Sequence, residues 1–241
     1  MDGRVVFITG VSSGLGAGLA LEHLDRGDRV FGTSRREPPC ELLEHARFRD
    51  ARGDLRDPEQ AAEIVATLLG KEGRVDLAWL NAGVLGEIVD MQDATLDELR
   101  ATMETNVWAN KSVLDALFAL EVPVHQILTI SSGAAVNGNR GWGGYAISKA
   151  ALNMLTQLYA AECEDTHFCA LAPGLVDTAM QESIRLMPPD PRFPSLDKLR
   201  AAGGTDFMPG PREAARRLVD RVDFIRSRVP SGSFADIRLL A

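Results

Sequence analysis

Short runs rich in β-branched and aromatic residues alternate along this chain with longer stretches of helical pattern. The first run, Arg4-Val-Val-Phe-Ile-Thr9, sets the type. The pattern predicts strands near 4–9, 28–33, 48–52, 75–80, 124–130 and 166–171, with a last one near 233–238. Helices are predicted near 14–26, 39–46, 58–69, 95–119, 143–162 and 211–227. Two helix starts carry caps. Asp57-Pro58-Glu59 sets a capping side chain before a first-turn proline, and Thr95-Leu-Asp-Glu98 reads as a capping box. Such alternation implies an α/β fold: a doubly wound, parallel sheet of seven strands with helices on both faces. Ligands of such sheets bind beyond the carboxyl ends of the strands, so the residues just after each strand are the ones to inspect.

The stretch from Asp177 to Pro211 interrupts the pattern. It holds Pro188, Pro189, Pro191, Pro194 and Pro209 with Gly203-Gly204, and is long for a connection in a compact domain. Connections of that length are usually lids or disordered segments. The expectation is a substrate lid near 177–211 with a helix near 178–186; the plainer alternative is a surface insertion.

Composition narrows the class. The 241 residues, 45% hydrophobic and 25% charged, fit one domain spanning 1–241 with a full core and no linker. A net charge of −8 argues against bulk attraction to nucleic acid or an anionic membrane. No apolar stretch approaches the length of a membrane span, and Met1 runs almost directly into the first strand, leaving no room for a targeting peptide. Cys40, Cys163 and Cys169 show no ligand spacing with one another or with His23, His45, His125 and His167, so no metal site is expected. An odd cysteine count points to reduced thiols and a cytoplasmic protein.

The chemistry starts at Thr9-Gly-Val-Ser-Ser-Gly-Leu-Gly16, between the first strand and the first helix. Gly10 permits a tight turn, Gly14 lets the backbone approach a pyrophosphate, and Gly16 allows close packing of helix on strand. The helix N-terminus then offers free N–H groups to the phosphates. Ser12, Ser13 and Leu15 complete this cofactor loop. The same letters, Gly10-Val-Ser12-Ser-Gly14, also fit the nucleophile elbow of a serine hydrolase using Ser12, but no histidine sits in a recognisable triad context.

The second strand ends Gly32-Thr-Ser34-Arg35-Arg36. An NAD site places an acid here for the ribose 2′-hydroxyl, whereas a 2′-phosphate calls for arginine. Ser34 stands where the acid belongs and Arg35 follows, which favours NADP(H) over NAD(H). Ser13 is not basic, so one second phosphate contact is missing. Asp54, with Leu55 beside it after the third strand, is a candidate contact to the adenine, and Gly53-Asp54 is equally ordinary turn chemistry.

Tyr145 and Lys149 are four residues apart, so on a helix they share one face. An ammonium there favours phenolate and lowers a tyrosine pKa from its usual value of about 10. Ser132 precedes the tyrosine by thirteen residues.

In register, these motifs resemble the short-chain dehydrogenase/reductases: Thr9-Gly10-x-x-x-Gly14-x-Gly16, Asn81-Ala82-Gly83, Asn106, Ser132, Tyr145, Lys149 and Pro173-Gly174-Leu-Val-Asp-Thr178. The resemblance runs from residue 9 to residue 178. Ser132-Gly-Ala-Ala, Gly141-Trp142-x-x-Tyr145 and the ending Ser231-Gly-Ser-Phe-Ala-Asp236 are most similar to the branch holding sepiapterin reductases and bacterial benzil reductases.

The resemblance implies a Rossmann domain and an NADPH-dependent reduction of a ketone or α-diketone. Ser132 would hold the carbonyl oxygen, Tyr145 would give the proton, and Lys149 would bind the nicotinamide ribose. Asn106 would order a water that links Lys149 to solvent. Asn81, Ala82, Gly83, Pro173, Gly174, Val176 and Thr178 would line the cofactor site. It also implies a homodimer or homotetramer built on the long helices. An aspartate like Asp236 anchors the pterin in sepiapterin reductases, although here it could simply close the last strand. Trp142, Met180, Met187 and Phe193 suggest an apolar substrate pocket for a small carbonyl compound. The rival classes are a non-catalytic NADP-binding sensor on the same fold and the Ser12 hydrolase.

Overall fold

In the computed structural model, which describes residues 3–240, seven parallel strands form one sheet. They are β1 (Val5–Thr9), β2 (Arg29–Ser34), β3 (Phe48–Arg52), β4 (Leu77–Leu80), β5 (Gln126–Ile130), β6 (His167–Ala172) and β7 (Ser233–Asp236). Their spatial order is β3-β2-β1-β4-β5-β6-β7. The order reverses direction between β1 and β4, and that reversal leaves a crevice beyond the strand ends. β1, β4 and β5 are buried along their whole length, as a sheet covered on both faces requires.

The helices α1 (Gly14–Asp25), α2 (Cys40–Leu43), α3 (Pro58–Leu69), α4 (Leu96–Met103), α5 (Ala109–Phe118) and α6 (Gly143–Glu162) fall where the pattern placed them. The caps also form. Asp57 accepts from the N–H groups of Glu59 and Gln60 at the start of α3, and the Thr95 hydroxyl accepts from the Glu98 N–H at the start of α4. One face of the sheet carries a core in which Ile8, Trp79 and Leu171 pack with Leu19 of α1. The opposite core joins Phe7, Ala78 and Ile127 to Leu68 of α3 and Leu114 of α5.

The structure corrects four boundaries. The helix expected over 95–119 is α4 and α5 joined by a π-helical turn at Glu104–Trp108, with Asn106 inside it. Such one-turn expansions re-aim side chains and recur at functional sites. The helix expected over 211–227 is two, α9 (Pro211–Val219) and α10 (Val222–Arg228), separated at Asp220-Arg221. The last strand stops at Asp236, whose carboxylate accepts from the Arg238 N–H and starts a 3-10 turn at Ile237–Leu239. Finally, the proline-rich stretch holds not one helix but two, α7 (Ala179–Leu186) and α8 (Pro194–Ala202).

That excursion is tied at its base, where the Asp177 N–H donates to the Pro209 carbonyl at 2.9 Å. It has a core of its own: Ile184 of α7, Leu196 of α8 and Phe193 close over Trp142, which also donates its indole N–H to Ser195 Oγ at 2.8 Å. No helix among the described residues is long and apolar enough to cross a membrane.

Candidate active site

A cavity of about 770 Å³ runs along the carboxyl ends of the strands. It lies in the upper part of the roughly 300–1,000 Å³ range usual for small-molecule sites. One end is made of backbone. Gly10 takes φ +83° and Gly14 φ +57°, in the left-handed region that glycine enters without strain. A Cβ on Gly10 would stand 2.9 Å from Asn81 Nδ2, and one on Gly16 would stand 2.2 Å from the Gly10 carbonyl. Both positions are therefore empty so that Asn81 can come in, where it donates to the Thr9 carbonyl at 3.0 Å. The Thr9 hydroxyl meanwhile accepts from the Asn81 and Ala82 N–H groups.

Ser13 precedes α1 without capping it, and the first turn carries no acid, so the helix N-terminus faces the cavity with its N–H groups free. Gly10, Ser12, Ser13, Gly14 and Leu15 line this end; Gly16 sits behind them as packing. The turn fits a pyrophosphate.

Ser34, Arg35, Asp54 and Leu55 also line the cavity. Ser34 donates to the Arg36 carbonyl at 2.7 Å, which shapes the turn. Arg36, the residue after Arg35, reaches Ser13 Oγ at 3.4 Å. It supplies the second basic group that Ser13 itself lacks. Neither Arg35 nor Arg36 has an ion-pair partner among the described residues. Asp54 is less free than its sequence position suggests, because Arg56 grips its carboxylate at 3.0 and 2.5 Å and holds it below the usual carboxylate range.

At the centre, the first half of α6 carries Tyr145 and Lys149 beneath the end of β5, and Ser132 follows that strand. All three line the cavity. The Tyr145 ring lies 5.7 Å from Lys149 Nζ. Lys149 is buried and donates to the Ile130 carbonyl at 2.7 Å; loss of water lowers its pKa to about 8. For Tyr145 the structure reverses the direction expected from Lys149. Burial raises its pKa, and the hydrogen bond with Ser132 acts against that rise. The two neighbouring serines differ in their surroundings: Ser131 is buried and bonds to Asn153 at 2.5 Å, whereas Ser132 Oγ accepts from the Ala134 N–H at 3.1 Å.

Asn106 is buried and does not line the cavity. Its carboxamide accepts from the Val84 N–H at 2.8 Å and donates to the Val84 carbonyl and to Ser148 Oγ, each at 2.9 Å. Ser148 in turn donates to the Tyr145 carbonyl at 2.8 Å. Both amide hydrogens and one oxygen lone pair are thus used, which makes Asn106 a positioning contact between the loop after β4 and α6. Gly83 makes room for it, since a Cβ there would stand 3.1 Å from Asn106 Oδ1.

Asn81, Ala82 and Gly83 line the cavity after β4, as do Pro173, Gly174, Val176 and Thr178 after β6. Trp142 and Met180 line the far end. Met187 does not; its side chain packs into the small core under α7 and α8, and Phe193 is buried there as well. Asp236 is likewise outside. Arg238 takes both its oxygens, at 2.8 and 2.5 Å, and holds it below the usual carboxylate range, so Arg238 rather than Asp236 reaches the cavity.

No histidine lines the cavity among the described residues. His23 is buried between Trp79, whose indole N–H it accepts at 2.9 Å, and Asp28 at 2.7 Å; burial lowers its pKa. Ser12 thus has no base, and the hydrolase reading fails on geometry.

Sheet order, glycine turn and open helix end define a dinucleotide-binding α/β protein. Residues 4–189 match the family model described as short chain dehydrogenase, and the chain belongs to that family. It is 31% identical over 224 residues to a benzil reductase ((S)-benzoin forming) of Bacillus subtilis, covering 86% of this chain and 90% of that one. It is 30% identical over 194 residues to an NADPH-dependent pterin aldehyde reductase of Arabidopsis thaliana, covering 75% and 78%. A crystal structure of a short chain dehydrogenase/reductase from Saccharomyces cerevisiae superposes with a TM-score of 0.84 at 25% identity, over 99% of this chain and 98% of that one. The protein is an oxidoreductase of the C=O/CH–OH type that uses a nicotinamide cofactor.

Proposed function

We propose that this protein is an NADPH-dependent carbonyl reductase that turns a ketone or α-diketone into an alcohol. The observation that carries the reading is the meeting of Ser132, Tyr145 and Lys149 in one cavity with the glycine turn. The bound dinucleotide would supply the hydride to the carbonyl carbon. Ser132 donates a hydrogen bond to the carbonyl oxygen as it gains charge. Tyr145, a phenol at neutral pH as an ordinary tyrosine with a pKa of about 10 is, gives that oxygen its proton. Lys149, still largely an ammonium at neutral pH, binds ribose hydroxyls and stabilises the tyrosinate left behind. Asn106 holds Val84 and Ser148 in register, and so positions Tyr145.

Preference for NADPH rests on Arg35 and Arg36 beside an end of β2 that lacks an acid; two guanidinium groups match a 2′-phosphate. The α7–α8 segment forms the substrate lid of a single domain, with Trp142 as its contact to the catalytic residues. The exposed Trp108, Ile147, Met154 and Leu158 on the π turn and α6 support a homodimer or homotetramer built across these helices. Three free thiols support a reducing, cytoplasmic location.

The test is NADPH oxidation with benzil, a simple ketone and sepiapterin, NADH in parallel. Tyr145→Phe should lower kcat by about 10²–10⁴-fold with NADPH affinity retained. Turnover that survives this change would mean another group gives the proton.

A further inference from the structure

The charged residues that line the cavity are almost all of one sign. Arg35, Arg36, Arg56, Lys149, Lys198 and Arg238 face a single acid, Asp54, which Arg56 already engages, in a chain of net charge −8. The first three stand at the nucleotide end and Lys149 at the centre. Lys198 and Arg238 belong to neither.

Arg238 is held in place by the turn after β7. Asp236 accepts from its backbone N–H at 3.0 Å, from Nε at 2.8 Å and from Nη2 at 2.5 Å. A guanidinium has five N–H donors, so this grip fixes the fork while leaving Nη1 wholly free. The side chain lies across the loops after β5 and β6. A Cβ on Gly133 would stand 3.8 Å from Nη2, and one on Gly174 would stand 3.6 Å from Cδ. Gly133 directly follows Ser132, so the guanidinium lies beside the loop that carries Ser132, with Nη2 keeping one N–H beyond its bond to Asp236. Lys198, on α8, has no ion-pair partner among the described residues. Leu85, Trp142, Met180 and Leu199 add apolar lining to the same cavity.

We propose that Arg238 binds a carboxylate on the carbon next to the reacting carbonyl, so the substrate is a 2-oxo acid with an apolar side chain. This rests on the carbonyl-reductase reading above. The C=O π bond is reduced: hydride from the dihydronicotinamide forms the new C–H bond, and the Tyr145 proton forms the O–H bond. The products are the 2-hydroxy acid and the oxidised dinucleotide, with the carboxylate unchanged on Arg238 and Tyr145 reprotonated from solvent. Lys198 adds a second, weaker attraction from the lid.

The experiment compares kcat/KM for phenylglyoxylate with that for its neutral methyl ester, and takes the acid-to-ester ratio in each variant. A ratio is insensitive to a general loss of activity. In the wild type it should exceed ten, Arg238→Gln should lower it about 10–100-fold, as expected for a lost charge-assisted bond, and Arg238→Lys should keep most of it. A ratio unchanged in Arg238→Gln overturns the proposal. Should neither compound nor any other carbonyl turn over, the reductase reading fails, and calorimetric titration of phenylglyoxylate into the NADP-loaded protein still decides the anion site. Binding to wild type that is at least tenfold weaker in Arg238→Gln sustains the site, and no difference removes it.

Discussion

At the nucleotide end of the cavity the protein contributes mostly backbone; at the substrate end it contributes mostly side chains. Gly10, Gly14 and Gly16 are defined by what they lack, because a Cβ at each would meet Asn81, Thr178 or the Gly10 carbonyl. The far end is closed by Trp142 just before α6, by Met180 of α7 and Leu199 of α8, and by Arg238 from the turn after β7. A site made of backbone tolerates little variation, since no rotamer change can relieve a clash with a main-chain oxygen. A site made of side chains on a separately packed segment can be altered without disturbing the sheet, which is how one scaffold comes to serve many substrates.

The contrast can be broken most severely at Gly16. Gly16→Val should destabilise the fold by about 1–3 kcal/mol through overpacking and abolish measurable NADPH binding, checked by thermal melting and calorimetry. Next in size is the cofactor preference. Ser34→Asp with Arg35→Ser should reduce kcat/KM for NADPH about 10–100-fold and raise it for NADH; equal losses for both cofactors would take the 2′-phosphate away from Arg35.

The third effect is a pH limb. Lys149 carries its proton below about 8 and loses it above. Since kcat/KM reports the free enzyme, its logarithm should fall above about pH 8, by roughly tenfold per pH unit, and Lys149→Arg should move that limb upward. The smallest effect lies at the lid. Trp142→Phe removes the bond to Ser195 and should cost about 1 kcal/mol and shift KM by a few-fold with kcat little changed.

The cofactor end was legible in the sequence because its signals are local. Glycines at 10, 14 and 16 follow a strand and open a helix, and Tyr145 and Lys149 share a helical face by spacing alone. The other end was legible only in part. Met180 and Trp142 reach the cavity, but Met187 and Phe193 turn into the small core beneath α7 and α8, a choice that depends on how two helices pack. Pro194, a breaker in the sequence, sits at the first turn of α8, where its missing N–H costs nothing. The π turn at Glu104–Trp108 left no mark in the pattern, since one extra residue per turn barely shifts the apolar stripe.

The sequence by itself determined the α/β alternation, the glycine turn between β1 and α1, the shared helical face of Tyr145 and Lys149, and the missing acid after β2, because each follows from residues within a few positions of one another. Tertiary structure alone decided the rest. It spent Asn106 on Val84 and Ser148, raised the Tyr145 pKa by removing water, and brought Arg36 to Ser13. It also gave Asp236 to Arg238 and laid that arginine against Gly133 and Gly174. Burial, charge pairing and the allegiance of a side chain depend on neighbours brought in from distant parts of the chain, and no spacing rule along the sequence encodes them.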